Sequence, residues 1–182
     1  MQIKFKFSLP YERALMLYQA KPASLESFIV EKRKIIESRI KSLEKFWTKK
    51  VQFAIEETVG LKFKENVVCY LNSARNISDP LSIKIEDLKD MQDNLIHELI
   101  HVILTQNNVS QKKGWKLLQE KYKNENPITR GHILVHAVHE VVTKKIRKGR
   151  LKRIKAYSKN PNYKNSWRIV KKEGAENLLN FL

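Results

Sequence analysis

The chain has one cysteine, Cys69, among its 182 residues, and only five glycines and five prolines. A single cysteine excludes an internal disulfide and any zinc site built from cysteine pairs, so a metal site would need histidine and carboxylate ligands. No apolar run is long enough to cross a membrane, and the segment Met1 to Leu9 lacks the apolar core of a signal peptide. We therefore expect a cytoplasmic location.

Histidine is also scarce, with five residues in the chain. Two of them form His97-Glu98-x-x-His101, inside the otherwise apolar run from Asn94 to Ile103. Residues four apart share one face of a helix, so both imidazoles can bind one metal ion, with Glu98 beside them to deprotonate a bound water. This spacing is typical of zinc hydrolases.

The other three histidines lie in a second apolar run, with a glutamate next to the last of them: His132, His136, His139 and Glu140. Their spacing places all four on one helical face. Buried imidazoles are costly unless each finds a hydrogen bond or a metal, so we predict one metal site shared by the two helices. The alternative is a pair of helices whose core histidines are satisfied by hydrogen bonds.

Periodicity predicts a mostly helical α+β fold with a small sheet. Strand patterns cover 1–9, 66–71 and 81–85, and a long scaffold helix is predicted from about Pro22 to Thr58. Asp87 is expected to cap the first histidine helix, which ends near Gln106, and Thr129 to cap the second. A short amphipathic helix is predicted over 114–122, and the apolar residues of 175–182 are expected to dock on the core.

This order of elements resembles the zincin metallopeptidases, in particular the smallest members of the glutamate-zincin branch. The resemblance covers roughly Val67 to Thr143, and it reaches motif level only at His97 to His101. It implies that His97 and His101 bind Zn²⁺, that Glu98 polarises the nucleophilic water, and that a later helix supplies the third ligand. That branch would place a glutamate there, followed four residues later by an aspartate. Here the corresponding pair is His136 and Glu140, or His132 and His136.

The third ligand therefore stays open among three residues. We prefer His136, because Glu140 lies one turn further on and can orient an imidazole. His132 is second and Glu140, as a direct ligand, is third. His139 is a candidate to stabilise the oxyanion of a tetrahedral intermediate.

Related motifs fit less well. The longer metzincin motif needs glycine and histidine where Leu104 and Asn107 stand, and a histidine-rich RNA-processing metalloenzyme needs histidine in place of Val142. Peptide deformylases combine HExxH with an upstream cysteine, but Cys69 lies in an apolar strand pattern that is more typical of a core residue.

The predicted function is that of a zinc-dependent peptidase, with a catalytic domain over 1–142 and a basic C-terminal extension over 143–182 that packs on it or continues it. In zincins, a sheet-edge strand pairs with extended substrate, and Val67 to Asn72 is the candidate here. The oligomeric state is not predicted.

Acidic residues are few relative to basic ones, 19 against 36, which gives a net charge of +17. The C-terminal extension contributes 13 of the Lys and Arg residues against two Glu. Its densest stretch is a candidate patch for nucleic acid, an acidic protein or anionic lipid: Lys144, Lys145, Arg147, Lys148, Arg150, Lys152, Arg153 and Lys155. The alternative functions are thus a nucleic-acid-binding protein with a structural or vestigial metal, or a protease acting on DNA-bound proteins, as the SprT-like proteases do. A solvated basic face explains the charge equally well.

Overall fold

The computed structural model describes residues 1–18, 25–147 and 160–182. The chain folds into two compact units, the first formed by Met1–Thr48 and Glu65–Leu99 and the second by Lys49–Lys64 and Ile100–Leu182. In chain order the elements are β1 (Ile3–Phe7), α1 (Leu9–Tyr18), α2 (Leu25–Phe46), α3 (Lys49–Val59), β2 (Val67–Asn72), β3 (Ile77–Ser78), β4 (Leu81–Lys84), α4 (Leu88–Gln106), α5 (Lys113–Lys121), α6 (Pro127–Ile146), α7 (Pro161–Glu173) and α8 (Ala175–Leu178). The prediction of a mostly helical α+β fold with a small sheet is confirmed.

The sheet belongs to the first unit and has the order β1-β2-β4-β3. β1 and β4 flank β2, and both run parallel to it, while β3 pairs antiparallel with β4. Cys69 on β2 is fully buried, which confirms its prediction as a core residue. The prediction that Val67 to Asn72 is a sheet edge is wrong, because β2 lies between β1 and β4 in the sheet.

The predicted scaffold helix is two helices, since α2 ends at Phe46 and α3 begins at Lys49. The apolar stripe is nearly continuous across the break, but its two halves have different packing partners. α2 packs against β1 in the first unit, whereas α3 packs against α6 in the second. Periodicity alone did not reveal this division, because both halves show the same helical spacing.

The core of the second unit is built around α6, which packs against α3, α7 and α8. Asn126, not Thr129 as predicted, caps α6: its side chain accepts a hydrogen bond from the Ile128 backbone, and Pro127 occupies the first turn. Thr129 lies inside the helix and donates to the Asn162 carbonyl at 3.1 Å. The helix therefore begins at Pro127, three residues earlier than a cap at Thr129 would allow. Ala175 and Leu178 of α8 are buried, which confirms that the C-terminal segment docks on the core.

Helix α4 is continuous from Leu88 to Gln106, so it starts in the first unit and continues into the second. Asp87 caps it as predicted, accepting from the Lys89 backbone at 2.9 Å. One side of the helix is fully buried, and the residues on it lie four apart: Met91, Leu95, Leu99 and Ile103. This burial fixes the rotation of α4 and with it the direction of the motif side chains. No described helix has the length and apolar character needed to cross a membrane.

Candidate metal centre

The HExxH residues lie in the middle of α4, away from the ends of the helix. His97 and His101 are one turn apart, and neither is fully exposed. Glu98 is buried, with 9% of its surface exposed. The helix thus fixes all three side chains relative to one another.

Helix α6 brings His132 to His101. Their ring centroids are 5.0 Å apart, and the rings meet edge to face at 72°. Nδ1 of His132 lies 2.8 Å from the carbonyl oxygen of Ile128, one turn earlier on the same helix. A carbonyl can only accept, so Nδ1 carries the proton and Nε2 keeps its lone pair for a metal ion.

His97, His101 and His132 each offer one nitrogen, and these three atoms lie within 4.8 Å of one another. In the described parts of the chain, this is the group of side chains that has metal-ligand spacing. Three imidazoles form a donor set that suits Zn²⁺ and leaves a coordination position open for water. The residues present therefore fit the predicted ion.

His136, our first choice for the third ligand, is held by α7 instead. Its ring stacks on Trp167 with a centroid distance of 4.2 Å and an angle of 6°. Its Nδ1 lies 2.7 Å from Oγ of Ser166, and that hydroxyl also donates to the Tyr163 carbonyl at 2.9 Å. Because the carbonyl needs the single hydroxyl proton of Ser166, we assign the proton of this pair to His136 Nδ1. His136 is thus a buried imidazole whose Nδ1 carries a proton.

Tyr163 lies beside the candidate ligands. Its ring centroid is 4.3 Å from that of His132 and 5.6 Å from that of His136. Sequence reasoning missed Tyr163, Ser166 and Trp167 as parts of the site. In the sequence, Tyr163 and Trp167 follow the basic segment without a motif around them, and no local pattern marks Ser166.

His139 and Glu140 lie further along α6. His139 is 2% exposed, and its ring centroid is 6.2 Å from that of Trp167, so it contributes to the interface between α6 and α7. One oxygen of Glu140 lies 2.9 Å from Nζ of Lys144. His139 thus packs against α7 and Glu140 forms an ion pair, and their roles as oxyanion donor and direct metal ligand stay predictions.

Burial shifts the acid and base properties of the site. It raises the pKa of Glu98 to about 7, and it lowers the pKa of His101 to about 4, with a further contribution from nearby His132. Desolvation also lowers the pKa of His132, and it lowers that of His136 well below its ordinary value. All the shifts of these histidines favour neutral imidazoles near pH 7, the form that binds metal ions.

Burial also raises the pKa of the Cys69 thiol, and the charge of Glu98 raises it further. The thiol therefore stays protonated at neutral pH, which does not suit a metal ligand.

The predicted anion patch is only partly described. Lys144 pairs with Glu140 and also lies 3.7 Å from Glu176, while Lys145 pairs with Glu57 at 2.8 Å. Arg147 is the C-cap of α6, and its backbone amide donates a hydrogen bond to the Thr143 carbonyl. The remaining members of the patch lie outside the described residues: Lys148, Arg150, Lys152, Arg153 and Lys155.

Comparisons of the chain with protein-family models, with curated proteins and with solved structures find no match.

Proposed function

We propose that this protein is a zinc-dependent hydrolase that cleaves peptide bonds, with His97, His101 and His132 as the metal ligands and Glu98 as the general base. The observation that carries the proposal is the group of three imidazole nitrogens within 4.8 Å, with Glu98 next to His97 on the same helix. The choice of peptide bonds rests on the zincin resemblance of the motif. His132 replaces His136 as the preferred third ligand.

His97, His101 and His132 would hold the zinc ion, which when bound would lower the pKa of a coordinated water towards neutrality and polarise a substrate carbonyl. Glu98 is buried next to His97 on α4 and is suited to accept a proton from that water and pass it to the leaving amine. In the metal-free protein, burial raises the pKa of Glu98 to about 7, which favours uptake of a proton.

The hydrogen bond from His132 to Ile128 supports the proposed ligand set. This hydrogen bond keeps the proton on Nδ1 and leaves the lone pair of Nε2 available to a metal ion. It also opposes a flip of the ring. Tyr163 packs against the same ring and limits its movement.

The test is metal analysis of the purified full chain and of single variants. We expect about one zinc per chain in the wild type and in Glu98→Gln, and strongly reduced zinc in His132→Ala. His136→Ala is the matched control on the same helix, because it removes an imidazole of equal size, and it should keep most of its zinc. Zinc retained in His132→Ala and lost in His136→Ala would contradict the ligand assignment.

Activity is tested separately with a quenched fluorescent casein substrate. Glu98→Gln should lose cleavage by roughly two to four orders of magnitude, the usual contribution of a general base, while keeping its zinc. Hydrolysis that persists in Glu98→Gln, or that survives removal of zinc by a chelator, would refute the proposal.

A further inference from the structure

The exposed basic residues of α7 form a row of four: Lys164, Arg168, Lys171 and Lys172. Their spacings of four, three and one place them on one side of the helix, over a length of about 12 Å. Ser166, Trp167, Ile169 and Val170 are buried towards the rest of the second unit. We call the four exposed residues the α7 basic row.

Positive charge is concentrated in the second unit. This unit holds 23 of the 36 Lys and Arg residues but only 7 of the 19 Asp and Glu residues. The first unit is nearly neutral, with 13 basic and 12 acidic residues. A field of one sign on one compact unit attracts polyanions and raises their local concentration.

Most of the α7 basic row is not neutralised by described neighbours. Lys144 and Lys145 of α6 have carboxylate partners at 2.9 and 2.8 Å. Among the described residues, no carboxylate forms an ion pair with Lys164, Lys171 or Lys172. Arg168 lies 3.8 Å from Glu125, but it donates to Asn165 and its side chain is 70% exposed. Glu173, at the end of the helix, is paired with Lys121 at 2.8 Å.

We propose that the α7 basic row binds the phosphate backbone of a duplex nucleic acid. A strand carries one phosphate per 3.4 Å of helix axis, so a row of about 12 Å spans roughly three to four phosphates. This surface differs from the patch predicted from the sequence, and it does not depend on the metal centre.

The surroundings of the row favour a nucleic acid over other polyanions. Insertion of a helix into a lipid surface needs an exposed apolar face beside the charges, but Trp167, Ile169 and Val170 are buried. Protein interfaces commonly centre on well-packed aromatic or Arg anchors that are fully desolvated, whereas the row has no aromatic residue and the Arg168 side chain is 70% exposed.

The aromatic rings of α7 favour a duplex over a single strand. Single-strand binding relies on aromatic rings on which bases stack. Tyr163 packs against His132 and Trp167 stacks on His136, so both rings are already engaged within the protein.

The test is fluorescence anisotropy of a labelled 20-base-pair DNA duplex titrated with the full chain at several salt concentrations. The triple variant Lys164→Gln, Lys171→Gln, Lys172→Gln should bind roughly 100-fold more weakly at about 0.15 M salt. Its slope of log affinity against log salt should fall by about 2.7, which is about 0.9 for each lost phosphate contact.

A matched control removes the same charge from the first unit. Lys34, Lys41 and Lys45 are exposed on α2, and their triple substitution by glutamine should leave the affinity within about threefold and the slope unchanged. Equal losses in the two triple variants would overturn the proposal, because they would show an effect of net charge alone. Wild-type affinity in the α7 variant would also overturn it, as would tighter binding to phosphatidylserine vesicles or to polyglutamate than to the duplex.

The metal centre provides an independent check. Glu98→Gln and the chelated wild type should bind the duplex as well as the untreated protein does, and the α7 triple variant should keep its zinc. The duplex-binding proposal and the hydrolase proposal can therefore fail separately.

Discussion

Replacement of His139 should remove a pH-dependent part of the stability of the metal-free protein. His139 is 2% exposed, and burial lowers its pKa from the ordinary 6.5 to about 4. Between these two pH values the unfolded chain binds a proton at this position and the folded chain does not. The contribution of His139 to stability is therefore complete above pH 6.5 and declines as the pH falls towards 4. One pKa unit corresponds to about 1.4 kcal/mol, so this residue should account for about 3 kcal/mol over that range.

The assay is urea unfolding in the presence of a chelator at several pH values from about 7.5 to about 4. The wild type is compared with His139→Leu, which keeps apolar contact with Trp167, and with His139→Gln, which keeps a polar side chain. Neither replacement titrates, so both variants should show the same flatter dependence on pH although their absolute stabilities differ. The free energy of unfolding of the wild type should fall by about 3 kcal/mol more than that of either variant. Parallel pH profiles would refute the reasoning, because they would show that His139 keeps an ordinary pKa in the folded protein.

Three further predictions concern the effects of single substitutions on stability. In metal-free protein, Glu98→Gln should raise the free energy of unfolding by about 3 kcal/mol above pH 7 and have little effect at pH 4, because the pKa of Glu98 rises from 4.5 in the unfolded chain to about 7 in the folded protein and the stability of the wild type therefore declines over that range. Urea unfolding at about pH 4 and pH 8 measures this effect, and equal effects at both pH values would contradict it. Gly114→Ala should destabilise by about 1 to 3 kcal/mol, since its Cβ would lie 2.3 Å from the Phe181 carbonyl oxygen; Gly131→Ala on α6 is the control, because its Cβ meets nothing within 4 Å and the change should stabilise by up to about 1 kcal/mol. Asn126→Ala should cost about 1 kcal/mol through loss of the α6 cap, whereas Asn126→Asp should not, as thermal unfolding can check.

The parts of the site that could be predicted from the sequence are those set by local periodicity. The spacing of the two histidines is enough to place His97 and His101 on one helical face, and the capping position of Asp87 follows from the same pattern. The choice between His132 and His136 could not be predicted, because both lie on the same face of α6. That choice depends on Ser166 and Trp167, about thirty residues later in the chain, which hydrogen-bond to and stack on His136.

The fold shows the same limit. The strands β1, β2 and β4 could be located from their apolar patterns, but their order in the sheet depends on pairing between distant residues, such as Phe5 with Cys69. An edge and a central position look alike in a short stretch of sequence. The break after Phe46 was missed for a similar reason, since the packing partners of α2 and α3 are not encoded in their spacing.

The two neighbouring imidazoles on α6 differ in what determines their tautomers. The proton on His132 Nδ1 is held by a carbonyl of its own helix, so the tautomer of this proposed ligand is set within α6 alone. His136 depends on a hydroxyl from α7, and its preferred tautomer would be lost if the two helices separated. A rigid displacement of α6 would therefore change the distance from His132 to His101 but not the nitrogen that His132 presents. In a designed helix, the turn from Ile128 to His132 could be transplanted as a unit, whereas His136 would have to be moved together with Ser166 of α7.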